Sequence, residues 1–330
     1  MGSAPLLAVR GLAVSFQRDR DGPVSRALRG VDLSVNESEI HGLVGESGCG
    51  KTVTSTAIMG LLPAPPARIE DGSIVFEGRD LLGLSAEERR KVRGRRIAMV
   101  FQEPARYLNP SFRVGAQITE MLGLHLGMNR REAETRAGEL AGLVGLGGAR
   151  RVLQAYPHEL SGGMKQRAMI AMAISCNPHL LIADEPTTAL DVTLQLQILR
   201  LIASLREKFR MGILFISHDL RLVRTVADRV TVMYAGRAVE TTSARELYRG
   251  ALHPYTRLLL ASIPAAQKRG TRLKVIPGRV PDAQAVPEGC AFHPRCPLAE
   301  DRCRTDMPES SEHAPGHTAA CHFVGKPWPD

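Results

Sequence analysis

Gly45–Thr52 reads GESGCGKT. Glycines at this spacing let successive backbone N–H groups curl around phosphate oxygens, where side chains carrying a Cβ would obstruct them. Gly45, Glu46, Ser47, Gly48, Cys49 and Gly50 would form the cradle. Lys51 would reach the terminal phosphates of ATP, and Thr52 would offer its hydroxyl to Mg²⁺. A helix beginning near Lys51 would aim its positive end at the same anion. Leu180–Glu185 reads LLIADE. An apolar strand that ends in Asp184 sets a carboxylate where Mg²⁺ needs an oxygen ligand, and Glu185 can polarise an attacking water as general base. His218 follows the apolar run Gly212–Ile216, where it can donate to a γ-phosphate or hold the water. Gln102 follows the run Ile97–Phe101 and can touch both Mg²⁺ and that water.

Leu160–Arg167, LSGGMKQR, carries a second anion cradle. Ser161 suits a helix N-cap, and Gly162 and Gly163 expose bare amides at the helix start. One nucleotide does not need two such loops from one chain. The economical expectation is that this loop completes the site of a partner subunit.

Short buried strands must position these groups. His41–Val44, Ile97–Phe101, Leu180–Ala183 and Gly212–Ile216 are apolar runs ending in polar or glycine-rich residues, with helix-like stretches such as Met164–Ser175 and Thr193–Lys208 between them. That alternation predicts an α/β domain with a largely parallel core sheet, whose ligands lie at the carboxyl ends of the strands. The segment from about 104 to 160 has helical spacing and no β-branched runs, so it reads as a helical insertion. Asp228–Glu240 reads as two strands around a glycine-containing turn. After about Pro264 proline, cysteine and histidine rise and periodicity fades. A small appendage held by something other than a core is expected there.

The 330 residues are 44% hydrophobic but only 4% aromatic, so aliphatic side chains must fill the core. No run approaches the roughly 18 apolar residues of a membrane span. The N-terminus lacks the features of a secretory leader, and the chain is expected to stay in the cytoplasm. A net charge of +9 favours polyanions, and its densest cluster is ERRKVRGRR at Glu88–Arg96. That cluster reads as a solvated helix face or as a contact with a phosphate-rich or membrane-proximal neighbour.

Cys290, Cys296, Cys303 and Cys321 follow the spacing C-x5-C-x6-C-x17-C. In a cytosolic chain such a cluster favours metal over disulfides or reduced thiols, and four thiolates could close a zinc site or hold an iron–sulfur cluster. His293, His317 and His322 are possible replacements or neighbouring donors. The metal would staple a unit too small to bury enough surface alone. Cys49, inside the phosphate loop, reads as a neutral filler.

Together these residues resemble the ATP-binding subunit of ABC transporters, from Leu6 to about Ser262. Gly45–Thr52 matches the Walker A loop, Gln102 the Q-loop, Leu160–Gln166 the signature, Asp184 and Glu185 the Walker B pair, Ala189–Asp191 the D-loop and His218 the H-loop. Phe16, in VSF, lies where the family stacks an aromatic ring on adenine. MVFQEPARYLNP at Met99–Pro110, HPYTRLLLASIP at His253–Pro264 and the tail Pro277–His322 are similar to the oligopeptide, dipeptide and nickel importer ATPases. Two departures are Arg106-Tyr107, where smaller polar residues are usual, and Met164, where Gln is commoner.

The resemblance implies a P-loop NTPase core of the ABC ATPase type over residues 1–262. It implies an antiparallel β subdomain, the helical insertion and a Cys-rich appendage over 263–330. It implies import of oligopeptides or dipeptides, with nickel complexes the alternative. The partners implied are a second ATPase, identical or paralogous, two permease subunits and an extracytoplasmic solute-binding protein. The place implied is the cytoplasmic face of the membrane, peripherally. Some members carry a [4Fe–4S] cluster in this tail, which moves the metal expectation from zinc toward iron. The rival is a soluble ABC ATPase acting on ribosomes or nucleic acid. Such proteins tend to join two ATPase units or carry a long coiled coil, and neither is present, so no nucleic-acid partner is expected.

Overall fold

The computed structural model describes residues 4–17, 19, 22–188, 190–263 and 275–327. Ala189, in the expected D-loop, and the stretch 264–274, where the appendage was expected to begin, lie outside the described residues. The chain divides into two compact units, one of residues 1–6, 35–40 and 81–216, the other of 7–34, 41–80 and 217–330.

In the first unit the strands Ile97–Val100, Leu180–Asp184 and Gly212–Ser217 run parallel in that order, with Ile97 opposite Leu180 and Leu180 opposite Gly212. Every residue of the three is buried. Continuous apolar sequence rather than alternation is what a strand covered on both faces requires. Four helices occupy the expected insertion: Pro104–Tyr107, Val114–Leu126, Arg130–Leu143 and Ala149–Gln154. The third begins with a capping box, in which the Asn129 side chain accepts from the Glu132 amide and Glu132 accepts from the Asn129 amide. Ile118, Leu122, Ala137 and Leu140 form the buried side of these helices. Expected Met164–Ser175 is found as Gly162–Ile174, because Ser161 caps it two residues earlier.

The second unit holds a sheet in the order Ser25–Val35, Leu7–Phe16, Ala67–Phe76 and Arg79–Asp80, the last three strands antiparallel to their neighbours in that run. It also holds the buried strand Ile40–Val44, parallel to Arg229–Tyr234, which turns back into Arg237–Ser243. Ala235 (φ 45°) and Gly236 (φ 80°) make that turn. Two successive left-handed residues are the geometry a two-residue hairpin favours. The basic cluster lies around the short, largely exposed helix Ala86–Val92 of the first unit, itself closed by a Ser85–Glu88 capping box.

The tail departs from expectation. It does not hang on metal alone. His317–Ala319 pairs antiparallel with Arg237–Ser243, with Glu240 opposite Ala319, and Ser311–Ala314 adds a further strand. Phe292 is fully buried, with its ring 5.1 Å from Tyr234, 5.3 Å from Tyr255 and 5.9 Å from His253. The appendage shares the hydrophobic core of its unit, and that burial rather than a private core accounts for its order.

Candidate nucleotide site and the cysteine tail

Within the second unit, the buried strand Ile40–Val44 delivers the chain into the phosphate loop. Gly45, Gly48 and Gly50 take φ of 154°, 82° and 106°. A Cβ on Gly45 would lie 2.3 Å from the Met233 carbonyl oxygen, and one on Gly50 would lie 2.6 Å from Leu28 Cδ2. Neither position admits another residue without moving its neighbours. The helix Lys51–Ile58 follows, and no side chain caps it. The buried Lys51 ammonium donates to the carbonyls of Gly45 (2.8 Å) and Glu46 (3.1 Å). Thr52 is exposed at the helix start. Cys49 is wholly buried, and burial pushes its thiol up against the opposing pull of Lys51. Its side chain fills space, leaving only its main chain to serve the loop. Phe16 ends the strand Leu7–Phe16 half-buried, and His218 stands exposed just after Gly212–Ser217.

Within the first unit, Asp184 is buried at the end of its strand. The next residue, Glu185, takes a left-handed φ of 46°, and its amide donates to the Ile216 carbonyl at 3.0 Å. Non-glycine residues adopt this region at a cost of order 1–3 kcal/mol, and such strain clusters at working sites. Its carboxylate accepts two hydrogen bonds on Oε2, from Gln102 Nε2 and from Thr188 Oγ1, each 2.9 Å. Gln102 and Glu185, far apart in sequence, are thus brought together. Ser161 and Gly162 are exposed, while Gly163 is buried against Leu194. The Ser161 hydroxyl accepts from the Met164 amide at 3.4 Å, so the second cradle opens to the surface. Asp191 caps the helix Val192–Phe209 by accepting from the Leu194 amide at 2.9 Å. On either side of Gln102 in the chain, Phe101 and Tyr107 stack with centroids 3.8 Å apart, and Tyr107 and Phe112 remain 51% and 56% exposed.

Three residues escaped the sequence reading. Thr188 sits within one turn of Glu185, a spacing that flags it only once Glu185 is known. Tyr255 and Arg295, which both bind Glu46, are separated from it by 209 and 249 positions. No local pattern announces such pairs.

The four tail cysteines line one small cavity with His293 and His322, whereas His317 Nε2 donates to Glu240 Oε1 elsewhere at 2.8 Å. Burial, reinforced by the neighbouring thiols, pushes Cys290 up to about 11 and Cys296 up to about 12. Among the described residues no three histidine, cysteine or carboxylate side chains are placed to hold one ion. The donor set has the chemistry for zinc or an iron–sulfur cluster. Cys290, Cys296, Cys303 and Cys321 are the residues that would hold either group.

Comparison with known proteins agrees with these motifs. The family model described as ABC transporter matches residues 28–188. A model for the oligopeptide/dipeptide transporter C-terminal region matches 239–303. The chain is 50% identical to a probable peptide ABC transporter ATP-binding protein of Sinorhizobium fredii, over 96% of this chain and 94% of that protein. It is 48% identical to the oligopeptide transport ATP-binding protein AppD of Bacillus subtilis, over 96% of each. It is 46% identical to the dipeptide transport ATP-binding protein DppD of Escherichia coli, again over 96% of each. Among solved structures, the dimeric post-hydrolysis state of the ATP-binding cassette MJ0796 bound to ADP and phosphate superposes with a TM-score of 0.64. It is 25% identical and covers 72% of this chain and 99% of that one. Phosphate loop, Walker B strand, signature and whole-length similarity lead to one assignment: the chain belongs to the ATP-binding proteins of the ABC transporter family.

Proposed function

We propose that this chain is the ATP-hydrolysing subunit of a membrane importer of oligopeptides or dipeptides. Its ABC ATPase domain spans residues 1–262 and its appendage 263–330. The observation that carries hydrolysis is the Glu185 carboxylate, next after the buried Asp184 and held by Gln102 and Thr188. A general base needs a fixed position within reach of the water it activates, and two donors on one oxygen provide the fixing. Gly45–Thr52 receives the triphosphate, Phe16 stacks on the adenine, and His218 assists at the γ-phosphate. Thr52, Asp184 and Gln102 offer hydroxyl, carboxylate and amide oxygens, the hard donors that suit Mg²⁺. When bound, that ion neutralises charge on the phosphates.

The exposed Ser161 and Gly162 face a neighbour's nucleotide, with Asp191 at the same junction. The second ATPase is a paralogue or a second copy. Support comes from the dimeric state named for the MJ0796 cassette. The exposed Tyr107 and Phe112, just beyond Gln102, are the contact with two permease subunits at the cytoplasmic face. Among the described residues no helix is long and apolar enough to cross a membrane, so the permeases supply the path. An extracytoplasmic binding protein delivers the solute. Peptide as the solute rests on the names of the relatives and on the matched C-terminal region. For the tail we propose a [4Fe–4S] cluster, with zinc the alternative. The single cavity shared by four thiols supports a metal, and iron, sulfide and zinc analysis of anaerobically purified protein separates the two.

The test is purification from native membranes followed by reconstitution. Co-purification with integral permeases, and ATP-driven uptake of labelled oligopeptide that Lys51→Ala abolishes, are expected. Uptake of nickel complexes instead, or association with ribosomes, would replace this reading.

A further inference from the structure

Glu46, the second residue of the phosphate loop, is gripped at three points by groups outside that loop or at its lysine. Its carboxylate receives both terminal nitrogens of Arg295, Nη1 to Oε2 at 2.8 Å and Nη2 to Oε1 at 3.0 Å. Its amide donates to the Tyr255 hydroxyl at 2.9 Å. Its carbonyl accepts from the Lys51 ammonium at 3.1 Å. Arg295 belongs to the tail, in the single turn His293–Arg295 between Cys290 and Cys296. The guanidinium is 4% exposed and fully engaged: Nε donates to the Pro277 carbonyl at 2.7 Å, and Nη1 also donates to Tyr234 Oη at 3.3 Å. It lies over the rings of Tyr234 and Phe292, at 5.7 and 5.9 Å from their centroids. A forked guanidinium on a carboxylate fixes orientation as well as distance, which a lysine could not.

We propose that Arg295 is a positioning residue for nucleotide binding, by which the C-terminal appendage clamps the phosphate loop through Glu46. The chain of contact runs from the cysteine turn through Arg295 to Glu46, and from the Glu46 carbonyl to Lys51. A loop held in its phosphate-receiving curvature binds without first ordering itself, so the clamp acts on affinity. Chemistry at saturating ATP needs Glu185 and the partner's cradle, and the clamp does not touch them. The turn that carries Arg295 is framed by two of the four cysteines, so the clamp also joins the cysteine cavity to the nucleotide loop.

The inference rests on the ATP-site reading above, and the test separates the two. Full-length protein with Arg295→Gln, Arg295→Lys, Glu46→Gln and the Arg295→Gln/Glu46→Gln pair is titrated with a fluorescent ATP analogue in the presence of Mg²⁺, and hydrolysis is measured in the assembled transporter. Loss of a charged bidentate contact is expected to weaken binding about tenfold or more in Arg295→Gln and in Glu46→Gln. KM should rise with kcat unchanged. The double variant should be no weaker than either single one, and Arg295→Lys should recover only part of the loss. Arg295 is 4% exposed, so each single variant leaves a buried group without its partner and thermal midpoints should fall; affinities are therefore compared well below the lowest midpoint, where every variant is folded. Unchanged affinity in both single variants, or losses that multiply in the pair, would overturn the clamp. Should the Arg295 variants prove insoluble, Glu46→Gln alone decides, since it alters one surface-accessible atom. Lys51→Ala serves as the control: if it retained nucleotide, the ATP-site reading would fail, whatever the Arg295 variants did.

Discussion

Replacing Glu185 by Gln keeps the shape of the side chain and removes its ability to take a proton. The carboxylate Oε2 now accepts from Gln102 and Thr188. A glutamine oxygen can keep both of those bonds, so the left-handed backbone at Glu185 and the strand below it should be undisturbed. What is lost is general-base assistance, typically about 10²- to 10⁴-fold, or ~2.7–5.4 kcal/mol of barrier. The expected result is a fall of that size in kcat for phosphate release by the assembled ATPase, with ATP affinity unchanged within about twofold. ATP that binds without turning over should accumulate a closed pair of subunits, seen as a higher-mass species in size-exclusion chromatography with light scattering. Thr188→Ala gives a graded companion. One of two donors disappears from a solvent-reachable site, so the loss should stay near tenfold or below. Unaltered turnover in Glu185→Gln would refute the base assignment.

Two further outcomes follow from single contacts. Gly45→Ala puts a methyl 2.3 Å from the Met233 carbonyl, so nucleotide binding should fall at least tenfold and stability by roughly 1–3 kcal/mol, read by titration and urea unfolding. His253 is fully buried, and burial lowers its pKa to about 3. Its folded value lies below its unfolded value of about 6.5, so the unfolded chain binds the extra proton as pH drops. Stability should therefore decline below about pH 6.5, by ~1.4 kcal/mol per unit, until about pH 3. His253→Asn keeps an acceptor for the Tyr255 amide and should lose ~2 kcal/mol less than the unaltered protein between pH 7 and pH 5 in urea unfolding.

The backbone of the proposed nucleotide site was legible because its geometry is local. GESGCGKT states its own backbone geometry, and LLIAD announces a strand buried on both faces ending in a carboxylate. The signature was legible as a capped helix start, although its true first residue is Gly162 and not Met164. Asp191 shows the limit of a motif, for the fold uses its carboxylate as a helix cap whatever else it does. The tail was misread in one respect. Low periodicity suggested a unit without a core, yet Phe292 and Ala319 are buried against partners contributed by Tyr234, Tyr255 and the strand Arg237–Ser243. A short segment that completes another segment's core has no reason to carry a period of its own. The Arg295–Glu46 pair was invisible for the same reason, since its two halves meet only through the fold.

We propose that one nucleotide is gripped by the phosphate loop of one protomer and the Ser161–Gly163 cradle of another. The most direct measurement places Lys51→Ala in only one ATPase of the assembled pair and adds an ATP analogue carrying a photoreactive group on its γ-phosphate. Peptide mapping should find the label at the Ser161–Gly163 cradle of the Lys51→Ala protomer, donated by the nucleotide on its intact neighbour. Label confined to the cradle of the protomer whose own Lys51 is intact would contradict the account.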